Sequence, residues 1–256
     1  LTLAQVVCGD VEEHAERRDR YERTLRKFIA NQELQAFPAV VISPYLSDGI
    51  ESLIQCHGIG GVKPNTVLLG WPKSEAKAEV FGATLRLVAK FQRSIVCARF
   101  LHRTDENSRG ASTRDVAPTE AWKAPQGTID VWWRGMDNGG LMLLLAHLLC
   151  QNPEWRRNRI RVLRIVSSQE AVEEVRADIN HLADASRIRV EPVVMVAQDA
   201  PLAIQAESRN ASLLMLGFEP PEEGQEADFY HRMEQLTGDL PRVLFVDSAG
   251  GMKLES

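Results

Sequence analysis

The chain lacks the patterns that mark common catalytic and metal sites. Its 256 residues contain no G-x-S-x-G, HExxH or GxGxxG motif. The six histidines show no i,i+4 or carboxylate-paired spacing of the kind that holds a metal ion. The four cysteines, at positions 8, 56, 97 and 150, occur singly and without CxxC spacing. We therefore predict no enzymatic activity, no metal, no bound cofactor, and reduced core thiols in a cytosolic protein.

Long uninterrupted apolar runs are also missing. The longest lies within Leu141 to Cys150, where His147 interrupts it, whereas a membrane-spanning helix needs about 20 apolar residues. We therefore predict that these residues do not cross a bilayer. The first residues, Leu1-Thr2-Leu3, carry neither an initiating methionine nor a signal-peptide pattern, which indicates a piece of a longer polypeptide.

An excess of positive charge is absent as well. The formal net charge is −5, with 13 Lys and Arg against 11 Asp and Glu up to Leu101, and 17 against 24 after it. Neither part offers the basic surface that binds phosphate backbones, so we predict no nucleic-acid partner. The arginine-rich run 17–27 is interleaved with acidic residues at i,i+4 spacing, which is typical of a solvated helix face.

The most informative stretch runs from Gly127 to Arg156. Its β-branched and aromatic residues 128–133 predict a strand. The polar and glycine-rich residues 137–140 then suit a tight turn and a helix cap. Residues 141–150 are apolar almost all round, which predicts a helix buried between layers. A strand, a glycine turn and a buried helix are the opening of a parallel α/β unit.

The rest of the chain repeats this alternation of strands and helices in two halves. Residues 65–72 (NTVLLGWP) align with residues 211–218 (ASLLMLGF), and each block precedes a charged helix and a closing strand. We predict a first subdomain at 1–101, a linker rich in polar residues, Gly and Pro at 102–126, and a second subdomain at 127–256. Each should form a separate, mainly parallel sheet with right-handed crossovers.

The first half has one strand and one helix fewer than the second. Counting back from the aligned blocks gives four predicted strands before Leu101 and five after Gly127. The missing unit is the counterpart of strand 128–133 and its buried helix. We therefore expect another strand and helix upstream of Leu1 in the intact polypeptide. A predicted helix in each half carries an inner apolar face: Val80, Leu87 and Phe91 in helix 74–91, and Val172, Val175, Ile179 and Leu182 in helix 169–185.

Two blocks resemble a known family. Gly127-Thr128-Ile129-Asp130-Val131-Trp132-Trp133, followed by Asp137 and Gly139-Gly140-Leu141, resembles a hallmark of the cation–chloride cotransporters. The block 58–70 (GIGGVKPNTVLLG) resembles another, and both occur in the cytosolic C-terminal domain of that family. The start, Val7 to Val11, fits more weakly. The resemblance covers essentially the whole chain.

The resemblance implies a fold and a role. The C-terminal domain of these transporters is similar to two tandem universal stress protein folds, so we expect an α/β (Rossmann-like) protein. It supports dimerisation and regulates the attached membrane domain, which moves chloride with sodium or potassium. We expect as partners this N-terminal transmembrane domain and a second copy of the chain, at the cytoplasmic face of the membrane. The short linker resembles prokaryotic members and puts phosphoregulation at Ser108, Ser112 or Thr113 in doubt.

The alternative is a nucleotide sensor of the universal stress type. ATP-binding members carry G-x2-G-x9-G-[ST] after the strand that matches Thr66 to Gly70, so that backbone N–H groups close on phosphates. Here prolines and glutamates follow Gly70 and Gly217 instead, which removes donors and repels phosphate. Gly139 and Gly140 could receive an anion at a helix start, but such a pair more often permits close packing. A small α/β enzyme is a third hypothesis.

Three residues of the strand 128–133 are candidate structural or interface positions. Asp130 is a carboxylate within a parallel strand, which requires a partner. We expect it to cap a loop or to pair with an arginine rather than to act as a lone catalytic acid. Trp132 and Trp133 should point to opposite faces of the sheet, one into the core and the other to a domain or subunit contact.

Overall fold

The structure is a computed structural model that describes residues 1–58, 63–101 and 126–250. In these residues strands and helices alternate along the chain. The strands are β1 (Thr2–Cys8), β2 (Phe37–Ser43), β3 (Thr66–Gly70), β4 (Ser94–Phe100), β5 (Thr128–Trp132), β6 (Arg159–Val166), β7 (Glu191–Val196), β8 (Leu213–Gly217) and β9 (Arg242–Asp247). The helices are α1 (Val11–Asn31), α2 (Leu46–Cys56), α3 (Ala78–Lys90), α4 (Met136–Gln151), α5 (Ala171–Ser186), α6 (Ala200–Glu207) and α7 (Glu226–Thr237).

Local sequence explains where several helices begin and end. The Asp10 carboxylate accepts hydrogen bonds from the Glu12 and Glu13 backbone N–H groups and caps α1. In the same way Asp199 accepts from the Leu202 N–H and caps α6, with a proline in the first turn. Helix α5 ends at Ser186, and the next residue, Arg187, has a left-handed φ of 55° that stops the helical hydrogen bonding.

Some predicted details are wrong. Helix α4 begins at Met136 and takes in the predicted turn 137–140, because the contacts of Asn138 with Phe218 and of Gly139 with Trp133 outweigh the poor helix propensity of Asn and Gly. In α3 the inner face is shifted: Val80 is 56% exposed, while Leu85 and Val88 are fully buried. Cys8 and Cys56 are exposed rather than in the core, because they fall at the ends of β1 and α2. The predicted linker lies outside the described residues, except for its last residue.

The sheet topology confirms an α/β fold with mainly parallel strands. Seven strands lie in the order β3-β4-β9-β8-β5-β6-β7, and β1 pairs with β2 in a separate two-stranded sheet. All of these pairings are parallel except β4 with β9, which is antiparallel. The prediction of one separate sheet for each half is therefore wrong. The last strands of the two halves pair edge to edge, which satisfies backbone groups that separate sheets would leave open.

The second half has a complete doubly wound order, and the first half does not. Residues 126–250 form the order β7-β6-β5-β8-β9. In the first half β2-β1 matches β7-β6, and β3-β4 matches β8-β9. No strand of the described residues takes the position that β5 holds in the second half. The predicted difference of one strand and one helix between the halves is thus seen in the structure.

Two apolar cores cover the two faces of the large sheet. On one face α4 and α5 pack on the strands, with Val172, Val175, Ile179 and Leu182 directed inward as the sequence predicts. On the other face, α3, α6 and α7 contribute to a second core that joins the two halves. A long apolar helix such as α4 is accommodated because it packs against β5, β6, β8 and β9.

An aromatic cluster at the second core connects the halves. The Trp71 ring lies 4.4 Å from the Phe245 ring, 5.3 Å from Phe81 and 5.9 Å from Tyr230, centroid to centroid. The Trp71 indole N–H also donates to a Glu234 carboxylate oxygen at 2.7 Å. Trp71 belongs to the first half and most of its partners to the second, so these contacts tie the halves together.

Candidate functional site

The carboxyl ends of β5 and β8 form the topological switch point of the large sheet, where α/β proteins commonly bind a ligand. From β5 the chain winds outward in both directions, towards β7 and towards β9. Open α/β sheets bind ligands at such a switch point, because the loops on either side diverge and leave a crevice. The residues that surround it are the start of α4 and the segments that follow β8 and β9.

The side chain of Asn138 fills this crevice. Its amide N–H donates to the Phe218 carbonyl at 2.9 Å, and its amide oxygen accepts from the Ser248 N–H at 2.8 Å. A Cβ atom added at Gly217 would lie 3.0 Å from the Asn138 amide nitrogen. Gly217 therefore serves a close approach between the end of β8 and α4. Two N–H donors at this place, those of the Asn138 amide and of the Ser248 backbone, bind groups within the protein.

The electrostatics next to this crevice also disfavour an anion. Asp247 at the end of β9 is half-buried, and burial raises the pKa of its carboxyl to about 6, with a second contribution from Glu219. Two acidic groups thus lie close enough to repel each other beside Asn138. Pro220 and Pro221 follow Glu219 and supply no N–H donors.

The glycines at the start of α4 support packing rather than anion binding. A Cβ atom added at Gly139 would lie 2.6 Å from the Trp133 ring, which is only 5% exposed. Gly140 is buried as well. Because only glycine leaves room for the indole, the close approach of α4 to the end of β5 depends on this residue. At Gly70, by contrast, no atom lies within 4 Å of the added Cβ.

Asp130 forms a buried ionic network with an arginine. It is 0% exposed, and the Arg161 guanidinium donates to both of its oxygens at 2.9 and 2.6 Å. Arg161 also donates to the carboxylate of Glu207 at 2.8 Å and to its carbonyl at 2.9 Å. The hydrogen bond to Asp130 is the largest cause that raises the pKa of Arg161. The network links the neighbouring strands β5 and β6 to the end of α6.

The two tryptophans point to opposite faces of the sheet as predicted, but both are core residues. Trp132 is 5% exposed and its indole N–H donates to the Ser208 hydroxyl at 2.9 Å. Trp133 is also 5% exposed and packs in the α4–α5 core. The sequence predicts that one of them covers a domain or subunit contact. Neither ring is open to a second subunit, and Trp132 lies in the second core, which contains residues of both halves.

The described residues offer little for reaction chemistry. No group of three or more His, Cys, Asp or Glu in them could hold a metal ion. Burial, and then the charge of Asp247, raise the pKa of the Cys97 thiol, which therefore stays protonated and is a poor nucleophile. A depression of about 460 Å³ between α5 and the end of β5 is lined by Trp133, Arg164, Asp178 and His181 among others. Asp178 and His181 lie on the exposed side of α5.

Two important polar residues have no clear signal in the sequence. Asn138 sits in a cluster that is typical of a turn or cap, so its bridge from α4 to the ends of β8 and β9 becomes visible only in the fold. Arg99 is 5% exposed; it donates to Glu234 at 2.8 Å and to the carbonyls of Gly238 and Leu240. An arginine inside an apolar strand is the one hint, since a buried charge needs partners.

We expect replacement of Asn138 by alanine to lower the free energy of unfolding by about 1–3 kcal/mol. The variant leaves the Ser248 N–H and the Phe218 carbonyl without their partner, which is the costly outcome for enclosed backbone groups. Urea unfolding followed by circular dichroism measures the change. Asn152→Ala is the matched control, because that side chain accepts one exposed hydrogen bond from the Glu154 N–H. Equal losses in the two variants would contradict the bridging role of Asn138.

The family model and the similar sequence identified by comparison with known proteins point to the same family. The family model of solute carrier family 12 matches residues 2–80 and 101–234. Cation-chloride cotransporter 1 of Oryza sativa subsp. japonica is 25% identical over 225 residues, which cover 88% of this chain and 21% of the relative. The chain therefore spans only a small part of that longer protein.

Solved structures share the fold along nearly all of the chain. The cytoplasmic domain of a prokaryotic cation chloride cotransporter superposes with a TM-score of 0.63 at 16% identity, covering 98% of this chain and 86% of that one. A universal stress protein from Archaeoglobus fulgidus DSM 4304 gives 0.56 at 12% identity, with coverages of 95% and 80%. A putative universal stress protein from Pseudomonas aeruginosa UCBPP-PA14 gives 0.51 at 11%, with 95% and 82%.

These findings confirm both the predicted fold and the resemblance drawn from the blocks 58–70 and 127–141. At such low identities the solved structures show the fold alone, whereas the family model covers most of the chain. In the part of the chain that the structure describes, no helix is both long and apolar enough to span a membrane. The chain belongs to solute carrier family 12, and it has the universal-stress-protein-like fold of a cation–chloride cotransporter cytoplasmic domain.

Proposed function

We propose that this chain is the cytoplasmic regulatory and dimerisation domain of a membrane cation–chloride cotransporter. The intact protein would carry chloride together with sodium, potassium or both, and this domain would lie at the cytoplasmic face of the membrane. Its partners are then the transmembrane domain of the same polypeptide and a second copy of the chain. The proposal rests on membership of solute carrier family 12 over most of the chain.

The geometry at the switch point supports a packing role for Asn138 and Asp130 rather than a catalytic one. Asn138 fills the switch point with hydrogen bonds to the protein's own backbone. Asp130 is fully committed to Arg161, so its carboxylate is not available as an acid or base. A domain of this kind acts by differential contacts with its neighbours, which shift the conformational equilibrium of the attached transporter.

Transport by the intact protein is tested in proteoliposomes. We expect chloride uptake that depends on a sodium or potassium gradient, and a changed rate or cation response when residues 1–256 are deleted. Unchanged transport after the deletion would contradict the regulatory role. Chloride uptake that ignores both cations, in a protein shown to be correctly inserted, would contradict cotransport itself.

Dimerisation is tested on the chain alone by sedimentation velocity across a concentration series. We expect reversible formation of a dimer whose interface buries about 1,000 Å² or more of surface, the area typical of a specific contact. A chain that remains monomeric at the highest soluble concentration would contradict the dimerisation role. The family assignment would stand in that case, since it rests on sequence.

A nucleotide sensor is the alternative function, and two observations favour it. The fold is shared with universal stress proteins, and the surroundings of Gly70 are open. Calorimetry with ATP and with AMP separates the two functions. If the chain is a regulatory domain, we expect no heat of binding up to millimolar nucleotide, because Asn138 occupies the switch point. Binding at micromolar nucleotide would support the sensor.

A further inference from the structure

Strand β6 places an arginine on the face of the sheet that α4 and α5 cover. Ile160, Val162 and Val166 of this strand belong to the core beneath the two helices. Because side chains alternate along a strand, Arg164 faces the same layer. It is partly buried, and among the side chains that the structure describes it has no ion-pair or hydrogen-bond partner. A guanidinium enclosed by apolar groups is stabilised when an anion binds to it.

Arg164 lines the depression between α5 and the end of β5. The volume of this depression is about 460 Å³, within the range of about 300–1,000 Å³ that is typical of small-molecule sites. Trp133 lines it as well. The two residues are neighbours across the strands, because the pairing of Trp132 with Leu163 continues by one position and Trp133 donates its N–H to the Leu163 carbonyl. An aromatic ring and an unpaired cation therefore border the same space.

The remaining walls are apolar and held in place by the core. Trp133 and Ile179 are each 5% exposed, and Val175 and Leu182 of α5 pack against the same core. The Trp133 ring is fixed from behind by α4, since a Cβ atom added at Gly139 would lie 2.6 Å from it. A preformed apolar surface beside an aromatic ring suits a flat, apolar group.

The charges around the depression favour a ligand with a single negative charge. Of the described residues that line it, Arg164 carries the one permanent positive charge, and Asp178 lies on the exposed side of α5. A guanidinium donates two parallel hydrogen bonds to one carboxylate, whereas Asp178 repels the additional charges of a diphosphate or triphosphate. His181, also exposed, offers a ring N–H to polar groups at the open end.

We propose that this depression is a binding site for a small molecule that combines one carboxylate with a flat apolar body. The carboxylate pairs with Arg164, and the apolar body lies against Trp133 and the inner side of α5. The ligand would contact α5 and the strands β5 and β6 at once, so its binding would stabilise the packing of this helix on the sheet. The inference goes beyond the regulatory and dimerisation role and does not depend on it.

A matched pair of probes tests the proposal on the unchanged chain of residues 1–256. Naphthaleneacetate has a carboxylate and a flat apolar body, and naphthaleneacetamide has the same shape without the charge. We expect NMR titration to show saturable shifts of backbone amides in β6 and α5, with a dissociation constant for the acid of about 1 mM or lower. The amide should bind about 10-fold more weakly or less, because it lacks the charge-assisted hydrogen bonds.

A substitution assigns the effect to Arg164. We expect Arg164→Gln to weaken binding of the acid by about 10-fold and binding of the amide by about 2-fold or less. Arg176→Gln is the matched control, because Arg176 is an exposed arginine of α5 that does not line the depression, and it should change neither. If Arg164→Gln did not fold, the comparison of acid with amide on the unchanged chain would still decide.

Three results would overturn the proposal. The first is the absence of saturable shifts in β6 and α5 up to about 10 mM acid. The second is equal affinity for the acid and the amide, or equal weakening by Arg164→Gln and Arg176→Gln. The third is tighter binding of ATP than of the acid at the same amides, which would contradict a singly charged ligand. None of them bears on dimerisation or on cation-dependent chloride transport, so the two proposals fail separately.

Discussion

We expect Arg161→Ala to lower the free energy of unfolding by about 3–5 kcal/mol. The substitution leaves Asp130, which is 0% exposed, as a buried carboxylate without its guanidinium partner. An uncompensated buried charge is far more costly than the loss of a surface ion pair. Urea denaturation monitored by circular dichroism measures the change.

Arg159→Ala is the matched control for that result. Arg159 lies two positions earlier on β6, faces the same side of the strand and pairs with Glu191 at 3.6 Å, but it is 77% exposed. We expect a loss of about 0.5 kcal/mol or less, because solvent screens such a pair. Equal losses for the two arginines would contradict the buried network as the source of stability.

A double substitution separates the charge from the packing. We expect Asp130→Leu combined with Arg161→Met to recover most of the stability that Arg161→Ala loses, since replacing both members of a buried pair by apolar groups is often neutral. If the double variant were as unstable as Arg161→Ala, the polar contacts with Glu207 at the end of α6 would be the more important part of the network.

We expect Trp71→Ala to lower the free energy of unfolding by about 3–5 kcal/mol. The indole packs among rings from both halves and donates to Glu234. Its removal leaves a large cavity and takes one donor from Glu234, which keeps its ion pair with Arg99. Trp71→Phe keeps most of the packing and loses the hydrogen bond, for an expected cost of about 1–2 kcal/mol. Tyr45→Ala, at a 68% exposed residue, is the control.

The position of Trp71 also predicts which residues lose protection. Because this residue of the first half packs against β9 and α7 of the second, we expect Trp71→Ala to speed amide exchange in β3 and β4 and in β8 and β9 together. Faster exchange in β3 and β4 alone would mean that the halves unfold independently, in spite of the antiparallel pairing of β4 with β9.

The regular parts of this fold are predictable from the sequence because their signals are local. The β-branched strand β5 and the inner face of α5 agree with the predictions, and the caps made by Asp10 and Asp199 involve only neighbouring residues. The first residue of α4 and the inner face of α3 were predicted wrongly, because both depend on contacts with other elements. The start of α4 depends on contacts that Asn138 and Gly139 make with residues at the ends of β8 and β5. Val80 is one of several apolar residues of α3, and periodicity alone does not rank them by burial.

The candidate site was predicted in part. The sequence indicates that Asp130 needs a partner and that glycines 139 and 140 permit close packing, but it does not name Arg161 or the Trp133 ring. The bridge made by Asn138 could not be predicted, because its partners near residues 218 and 248 lie about 80 and 110 positions away.

By itself the amino-acid sequence determined the order of strands and helices, the repeat of one unit in two halves, the shortfall of a strand in the first, and the family. These follow from local propensity, from apolar periodicity and from short motifs that are contiguous in the chain. Only the tertiary structure decided that β4 and β9 join two halves in one sheet, that Arg161 neutralises Asp130, and that Asn138 closes the crevice. Each depends on groups far apart in sequence, whose pairing is set by which edges and faces remain unsatisfied once the local elements have formed.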